Sequence, residues 1–283
     1  MSLNNTKCFE VKVNNINFSN DLPIKLIAGP CQIESRDHAL DTCSEIKEIT
    51  KKLDFEFVYK SSFDKANRSS HESARGVGIK KGLDILSEIK EKFSCPVLTD
   101  VHESQHCSLV GKYVDIIQIP AFLCRQTDLL IAAAKTNCVV NIKKGQFLSP
   151  WDMKNVVSKV LSTGNKNILL TERGTMFGYN NLVTDIRSLP ILKQNGFPVV
   201  FDATHSVQLP GGKGMSSGGQ REFVDVLSKA AVTAGIASIF IETHPNPSIA
   251  PSDGPNMIAL KDLSKLLQQI KLYDNLTKSI HQR

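Results

Sequence analysis

The chain has 283 residues, 41% of them hydrophobic and 22% charged, and carries a formal charge of +6 at neutral pH. That length can bury one large core or two small ones, and the composition excludes a disordered chain, which would be apolar-poor and highly charged. The 34 lysines and arginines are spread out with no basic run of five, so nucleic acid is not expected; cations converging in space would instead suit anionic small substrates.

Cysteines stand at Cys8, Cys31, Cys43, Cys95, Cys107, Cys124 and Cys138, an odd number with no C-x-x-C pair, so no disulfide framework is expected. The N-terminus lacks an apolar signal core, and no segment approaches the roughly 18 apolar residues of a membrane-spanning helix. The expectation is a reducing, cytoplasmic location with no membrane partner.

In chain order, Phe9 to Ile16 alternates apolar and polar residues around a turn-forming Asn14-Asn15 and predicts a small hairpin. Short β-branched runs follow at Lys25–Ala28, Phe55–Tyr59, Pro96–Thr99, Ile116–Ile119, Val139–Ile142, Ile168–Thr171, Val199–Asp202 and Ser238–Ile241. Between them, helical spacing turns Leu40, Cys43, Ile46, Ile49 and Leu53 to one face, and likewise Leu83, Leu86, Ile89 and Phe93. Strand and helix alternating eight times in about 250 residues predicts an α/β fold, a closed (β/α)8 TIM barrel; an open doubly wound sheet would show fewer strands and a Gly-rich first turn. The chain then reads as one domain over 1–283. Residues 1–24 are the hairpin covering the barrel bottom, and 25–283 are the barrel with a closing helix that turns Leu263, Leu266, Leu267 and Ile270 inward.

A barrel carries its active site at the C-terminal ends of its strands, and here those ends are rich in polar residues. They read Gly29 to Ser35, Lys60 to Arg68, Asp100-Val101-His102, Gln118 to Arg125, Lys143-Lys144, Glu172-Arg173, Asp202 to His205 and Glu242-Thr243-His244. Lys60, Lys65, Lys143 or Lys144, and Arg173 suit phosphate and carboxylate oxygens. Because strand side chains alternate, only one of the two adjacent lysines can face the interior. Cys31, His205, Glu242 and Asp253 offer one sulfur, one nitrogen and two oxygen donors, a set suited to a borderline divalent ion such as Zn, Fe or Mn.

Two motifs are set aside on context. His102-Glu103-Ser104-Gln105-His106 matches the zinc-protease H-E-x-x-H pattern but begins at a strand end rather than within a helix. Gly211 to Gly219 is glycine-rich yet lacks the Gly-Lys-Ser/Thr ending of a P-loop, and reads as a rim loop able to close over substrate.

The strand-end segments AGPCQIES (28–35), YKSSFDKANRSS (59–70), PVLTDVHE (96–103), IIQIPAFLCRQTDL (116–129), NIKKGQFLSPWD (141–152), TERGTMFGYNNLV (171–183), FDATHSVQLPGG (201–212) and FIETHPNPSIAPSDGPN (240–256) together resemble the 3-deoxy-D-manno-octulosonate 8-phosphate synthases. The resemblance runs from about Leu26 to Leu260. It implies condensation of phosphoenolpyruvate with arabinose 5-phosphate for the lipopolysaccharide inner core. The segment Lys65-Ala66-Asn67-Arg68-Ser69-Ser70 stands where the related heptulosonate 7-phosphate synthases typically have Lys-Pro-Arg-Thr.

Further implications come from the resemblance alone. Cys in the first strand's turn, here Cys31, is similar to the metal-dependent type, with His205, Glu242 and Asp253 completing the ligands of one divalent metal ion. Asp253, His205 and Lys60 are the residues expected to act in catalysis. Substrate binding is expected of Lys60, Lys65, Asp100, Gln118, Lys143, Lys144 and Arg173, with Asn67, Arg68 and Ser69 holding the aldose phosphate and Arg125 reaching across a subunit interface. A homotetramer is implied. A barrel that merely binds sugar phosphates is the rival reading, and it would require one of these strand-end residues to be lost.

Overall fold

The computed structural model describes residues 8–67, 74–211 and 218–281. Its strands are β1 Val11–Val13, β2 Ile16–Phe18, β3 Lys25–Gly29, β4 Phe57–Lys60, β5 Val97–Asp100, β6 Ile116–Ile119, β7 Val139–Lys143, β8 Ile168–Glu172, β9 Thr175–Met176, β10 Leu182–Val183, β11 Val199–Asp202, β12 Gln208–Leu209, β13 Gly218–Gly219, β14 Ser238–His244 and β15 Ile258–Ala259. The α-helices are α1 Arg36–Lys52, α2 Ile79–Phe93, α3 Ser104–Val110, α4 Thr127–Ala134, α5 Met153–Leu161, α6 Ser188–Lys193, α7 Val224–Val232 and α8 Leu260–His281.

Strands β3 to β8, then β11 and β14, pair in parallel in sequence order, and β14 pairs back onto β3, which closes the predicted barrel. Gly29 is required where β3 meets β4, because a Cβ there would sit 1.9 Å from the Lys60 carbonyl oxygen. Every side chain of the eight barrel strands is buried, as expected for parallel strands covered by helices outside and packed within. No described helix is long and apolar enough to cross a membrane.

The barrel interior is built in tiers. Ile27, Val58, Leu98, Ile116, Val139, Leu169, Val200 and Phe240, one from each barrel strand, form an apolar layer with Val11, Val13, Ile16 and Phe18. The latter four come from the β1–β2 hairpin, whose turn places Asn14 at φ 53. The predicted hairpin therefore plugs the barrel floor. Stepping two residues along each strand with the alternation of side chains reaches Gly29, Lys60, Asp100, Gln118, Asn141, Thr171, Asp202 and Glu242, so the next tier is almost entirely polar.

The helices wrap a second apolar cluster around the outside. Leu40, Cys43 and Ile46 of α1, Leu83, Leu86 and Ile89 of α2, and Leu263, Leu266, Leu267 and Ile270 of α8 are buried in it, as their spacing predicts. Helix α1 is capped by Ser35, whose hydroxyl accepts from His38 N, and α8 closes the ring against α1 and α7.

Candidate functional site

The polar tier opens at the C-terminal mouth of the barrel. Lys60 is 1% exposed, and its Nζ donates to Glu242 Oε1 at 2.6 Å and to the Cys31 carbonyl at 3.1 Å. Across the mouth, Lys143 Nζ donates to Asp202 Oδ2 and lies 3.9 Å from the centroid of the Phe240 ring. Lys143 shares the phase of Val139 and Asn141, and so faces the interior.

Lys144 has the opposite phase. Its Nζ turns into the loop after β7, donating to Gly145 O at 3.2 Å, Leu148 O at 3.1 Å and Thr175 Oγ1 at 3.0 Å, with Glu172 Oε2 at 3.6 Å. Gln118 is oriented by a chain within the tier: Thr171 Oγ1 donates to Asn141 Oδ1, and Asn141 Nδ2 to Gln118 Oε1.

Arg173 is 4% exposed; burial pulls its pKa below the ordinary arginine range against the opposing pull of Asp202, Asp253, Glu172 and Glu242. Its Nη2 donates to Gln208 Oε1 at 2.9 Å, while its Nη1 is buried without a hydrogen-bond partner among the described residues. Lys65 Nζ donates to Ser62 Oγ at 2.9 Å. Burial opposes the Lys65 charge, yet Cys31, Asp100, Glu242 and Asp253 around it raise its pKa above the ordinary lysine range. Asp100 accepts from His102 at 3.0 Å through Oδ2, and its Oδ1 has no hydrogen-bond partner among the described residues. An unsatisfied buried polar atom is costly, so such atoms at a cavity mouth suit a ligand that supplies their partners.

Cys31, Glu242 and Asp253 bring one ligand atom each to within 4.8 Å of one another. Cys31 Sγ donates to Asp253 Oδ2 at 3.1 Å, and Glu242 Oε2 is buried with no hydrogen-bond partner among the described residues. Burial, then the Glu242 charge, pushes the Cys31 thiol far up, so a metal cation binding there would have to displace its proton. Asp253 is held well below the carboxylate range: burial opposes this, and His205, Lys65 and the Cys31 hydrogen bond prevail. Its backbone sits at φ 53, a left-handed conformation that Asp tolerates better than most residues.

His205 stands at the edge of this group, with Nε2 3.7 Å from Glu242 Oε2. Its Nδ1 is 2.8 Å from Asp202 Oδ2, and since a carboxylate can only accept, Nδ1 carries a proton and Nε2 is the ring nitrogen that can present a lone pair. The same reasoning rejects a second cluster, Glu34, His38 and His244. There Asn246 N donates to His244 Nδ1 at 2.9 Å, so Nε2 bears the proton and donates it to Glu34 at 2.8 Å. His244 has no lone pair free for a metal.

Other residues singled out in the sequence fall outside this cluster. Asn67 is exposed beyond Lys65, and Arg125 is exposed before α4. Arg68, Ser69 and residues 212–217 of the glycine-rich loop lie outside the described residues. His102 precedes α3, whose N-cap is Glu103, so His102 and His106 do not share a helix and the protease pattern is not formed. Asp202 and Gln208 were not marked as site residues by sequence, although Asp202 ends a strand in the interior phase and was legible on that ground. Gln208 had no signal, because it meets Arg173 and Asp253 only in the fold.

The chain matches the model of the DAHP synthetase I family over residues 6–279. It is 62% identical over 271 residues to the 2-dehydro-3-deoxyphosphooctonate aldolase of Bartonella tribocorum, covering 96% of this chain and 98% of that one. The protein of that name from Bartonella quintana is 60% identical over 271 residues, with the same coverage of both chains. The one from Brucella anthropi is 58% identical over 270 residues, 95% of this chain and 98% of its own. With a closed barrel and matches of this extent, the chain belongs to the DAHP synthetase I family and, within it, to the 2-dehydro-3-deoxyphosphooctonate aldolases.

Proposed function

We propose that the chain condenses phosphoenolpyruvate with D-arabinose 5-phosphate and water to give 3-deoxy-D-manno-octulosonate 8-phosphate and inorganic phosphate, for the lipopolysaccharide inner core. The observation that carries this reading is the convergence of Lys60, Lys143 and Arg173 on one barrel mouth beside unpartnered carboxylate oxygens of Asp100 and Glu242. It agrees with the name borne by near-full-length relatives.

In this reading C3 of phosphoenolpyruvate attacks the aldehyde carbon, whose oxygen takes up a proton. Water adds at C2, and the C2–O bond breaks to release phosphate. Lys60, Lys65, Lys143 and Arg173 neutralise two anionic substrates that would otherwise repel, turning an encounter into an oriented reaction. Gln118 and Asp100 supply the remaining polar contacts. Of the two adjacent lysines, Lys143 is the substrate ligand and Lys144 supports the loop from below.

Lys60, His205 and Asp253 take the catalytic roles, since all three border the space between Cys31 and Glu242. A divalent metal, Zn, Fe or Mn, fits Cys31, His205, Glu242 and Asp253, because the Glu242 oxygen lacks a hydrogen-bond partner among the described residues and the Asp202 contact leaves His205 Nε2 as the nitrogen able to ligate. When bound it supplies Lewis acidity toward an aldehyde oxygen or a water. Asp202 fixes the His205 tautomer and neutralises Lys143.

Asn67, Arg68 and Ser69 hold the aldose phosphate. We assign the chain a single domain over 1–283, a cytoplasmic location and a homotetramer in which Arg125 crosses an interface. Exposed Phe122, Phe147, Trp151 and Phe177, on the loops after β6, β7 and β8, support burial by a second copy.

Phosphate release with arabinose 5-phosphate and with erythrose 4-phosphate tests the assignment. A preference for the former by orders of magnitude in kcat/KM is expected, because a site built to pair sugar hydroxyls leaves polar groups unpaired with a shorter aldose. Comparable rates would overturn it. An unchanged preference in Asn67→Ala would remove only that residue's role.

A further inference from the structure

The face of the barrel opposite the candidate site carries a pair of thiols. Cys43 on α1 is fully buried and Cys95, just before β5, is 5% exposed. Their sulfurs lie 3.9 Å apart. Both are free. Cys95 also lines an open surface groove of about 160 Å³ shared with Lys47, Thr50, Phe55, Ser94 and Pro96, so one member of the pair lies at the protein surface.

We propose that Cys43 and Cys95 form an oxidant-capturing dithiol, in which Cys95 reacts with a small peroxide arriving through the groove and Cys43 resolves the product into a Cys43–Cys95 disulfide. The sulfurs are in near contact, and forming the bond at about 2.05 Å requires a shift of roughly 2 Å, within reach of side-chain rotation. The division of labour follows from the surroundings. Cys95 borders the groove while Cys43 is fully buried behind it, and the Lys47 ammonium favours the thiolate at either sulfur. The thiolate is the nucleophile, and the sulfur beside the groove meets the peroxide first, so Cys95 attacks and Cys43 resolves.

The chemistry balances with hydrogen peroxide as the oxidant. The Cys95 thiolate attacks one peroxide oxygen, forming an S–O bond and breaking the O–O bond. Hydroxide leaves and takes up the proton that Cys95 had released, giving water and a sulfenic acid. The Cys43 sulfur then attacks the Cys95 sulfur, forming S–S and breaking S–O, and the departing hydroxide takes the Cys43 proton. Two thiols and one peroxide thus become one disulfide and two waters.

The test treats the full chain with one equivalent of hydrogen peroxide, alkylates the remaining thiols under denaturing conditions, and maps peptides without reductant. A peptide pair linked through Cys43 and Cys95 and lighter by about 2 Da than the two thiol peptides together is expected. In Cys43→Ser the link should vanish, and Cys95 should be captured as a sulfenic acid by dimedone. Recovery of both cysteines fully alkylated from the wild type would overturn the proposal. So would a wild-type product in which Cys95 advances to sulfinic acid while Cys43 stays free, or in which Cys95 is linked to another cysteine instead. The wild-type map decides the matter even if the variant does not fold.

Discussion

Gln208 joins Arg173 to Asp253. Arg173 Nη2 donates to its Oε1 at 2.9 Å, and its Nε2 donates to Asp253 Oδ1 at 2.8 Å, so one amide links the proposed anion site to the proposed metal site. An amide can do this because it presents an acceptor and a donor at opposite corners, which neither a carboxylate nor an aliphatic chain offers.

Gln208→Leu should therefore raise the KM for phosphoenolpyruvate and weaken retention of a divalent metal in the same protein. Isothermal titration with metal, beside steady-state kinetics, measures the two effects. A change in only one would show that the bridge does not couple the sites.

Arg173→Ala should raise the KM for phosphoenolpyruvate far more than that for the aldose phosphate. Truncating one partner of a desolvated charge pair costs on the order of 2–5 kcal/mol. Initial rates with each substrate varied in turn separate the two constants, and equal effects would argue against distinct subsites.

Adjacent Lys143 and Lys144 should respond differently to the same change. Lys143→Met is expected to cripple phosphoenolpyruvate binding, because its ammonium faces the barrel mouth. Lys144→Met should chiefly destabilise the fold, by about 3–5 kcal/mol, since it removes a fully buried ammonium from beside Glu172 and from two carbonyls and a hydroxyl. Urea unfolding of both variants, with kinetics on the folded fraction, tests the contrast.

Cys31→Ala should abolish bound metal and most activity, because it removes the one soft donor of the set. Elemental analysis of the purified variant reads the first effect directly. Full activity of the wild type after exhaustive chelation, with no residual metal, would sink the metal assignment. Cys31→Asn is the sharper variant, since an amide fills the same turn and keeps a polar group there but offers no thiolate.

The eight strands, the floor hairpin and the inward faces of α1, α2 and α8 were legible in the sequence, because each depends on a local period of 2 or 3.6 that apolar residues write out directly. Most strand-end side chains of the polar tier were legible for the same reason. Even the choice between Lys143 and Lys144 was latent in the spacing: Val139, Asn141 and Lys143 share a phase, but that phase has meaning only once Val139 is known to lie in the interior layer with the hairpin.

Closure of the barrel decided the rest. It brings Cys31, Glu242 and Asp253 together from both ends of the chain, and it sets Gln208 between Arg173 and Asp253. It also separates two histidines that look alike at strand ends, giving His205 a carboxylate at Nδ1 and His244 a backbone N–H. Those partners lie three and two residues away in sequence, yet which ring nitrogen each one meets is an angular relation that side-chain orientation sets. Periodicity tells which face a residue occupies; only the folded chain determines what waits there to receive or give a proton.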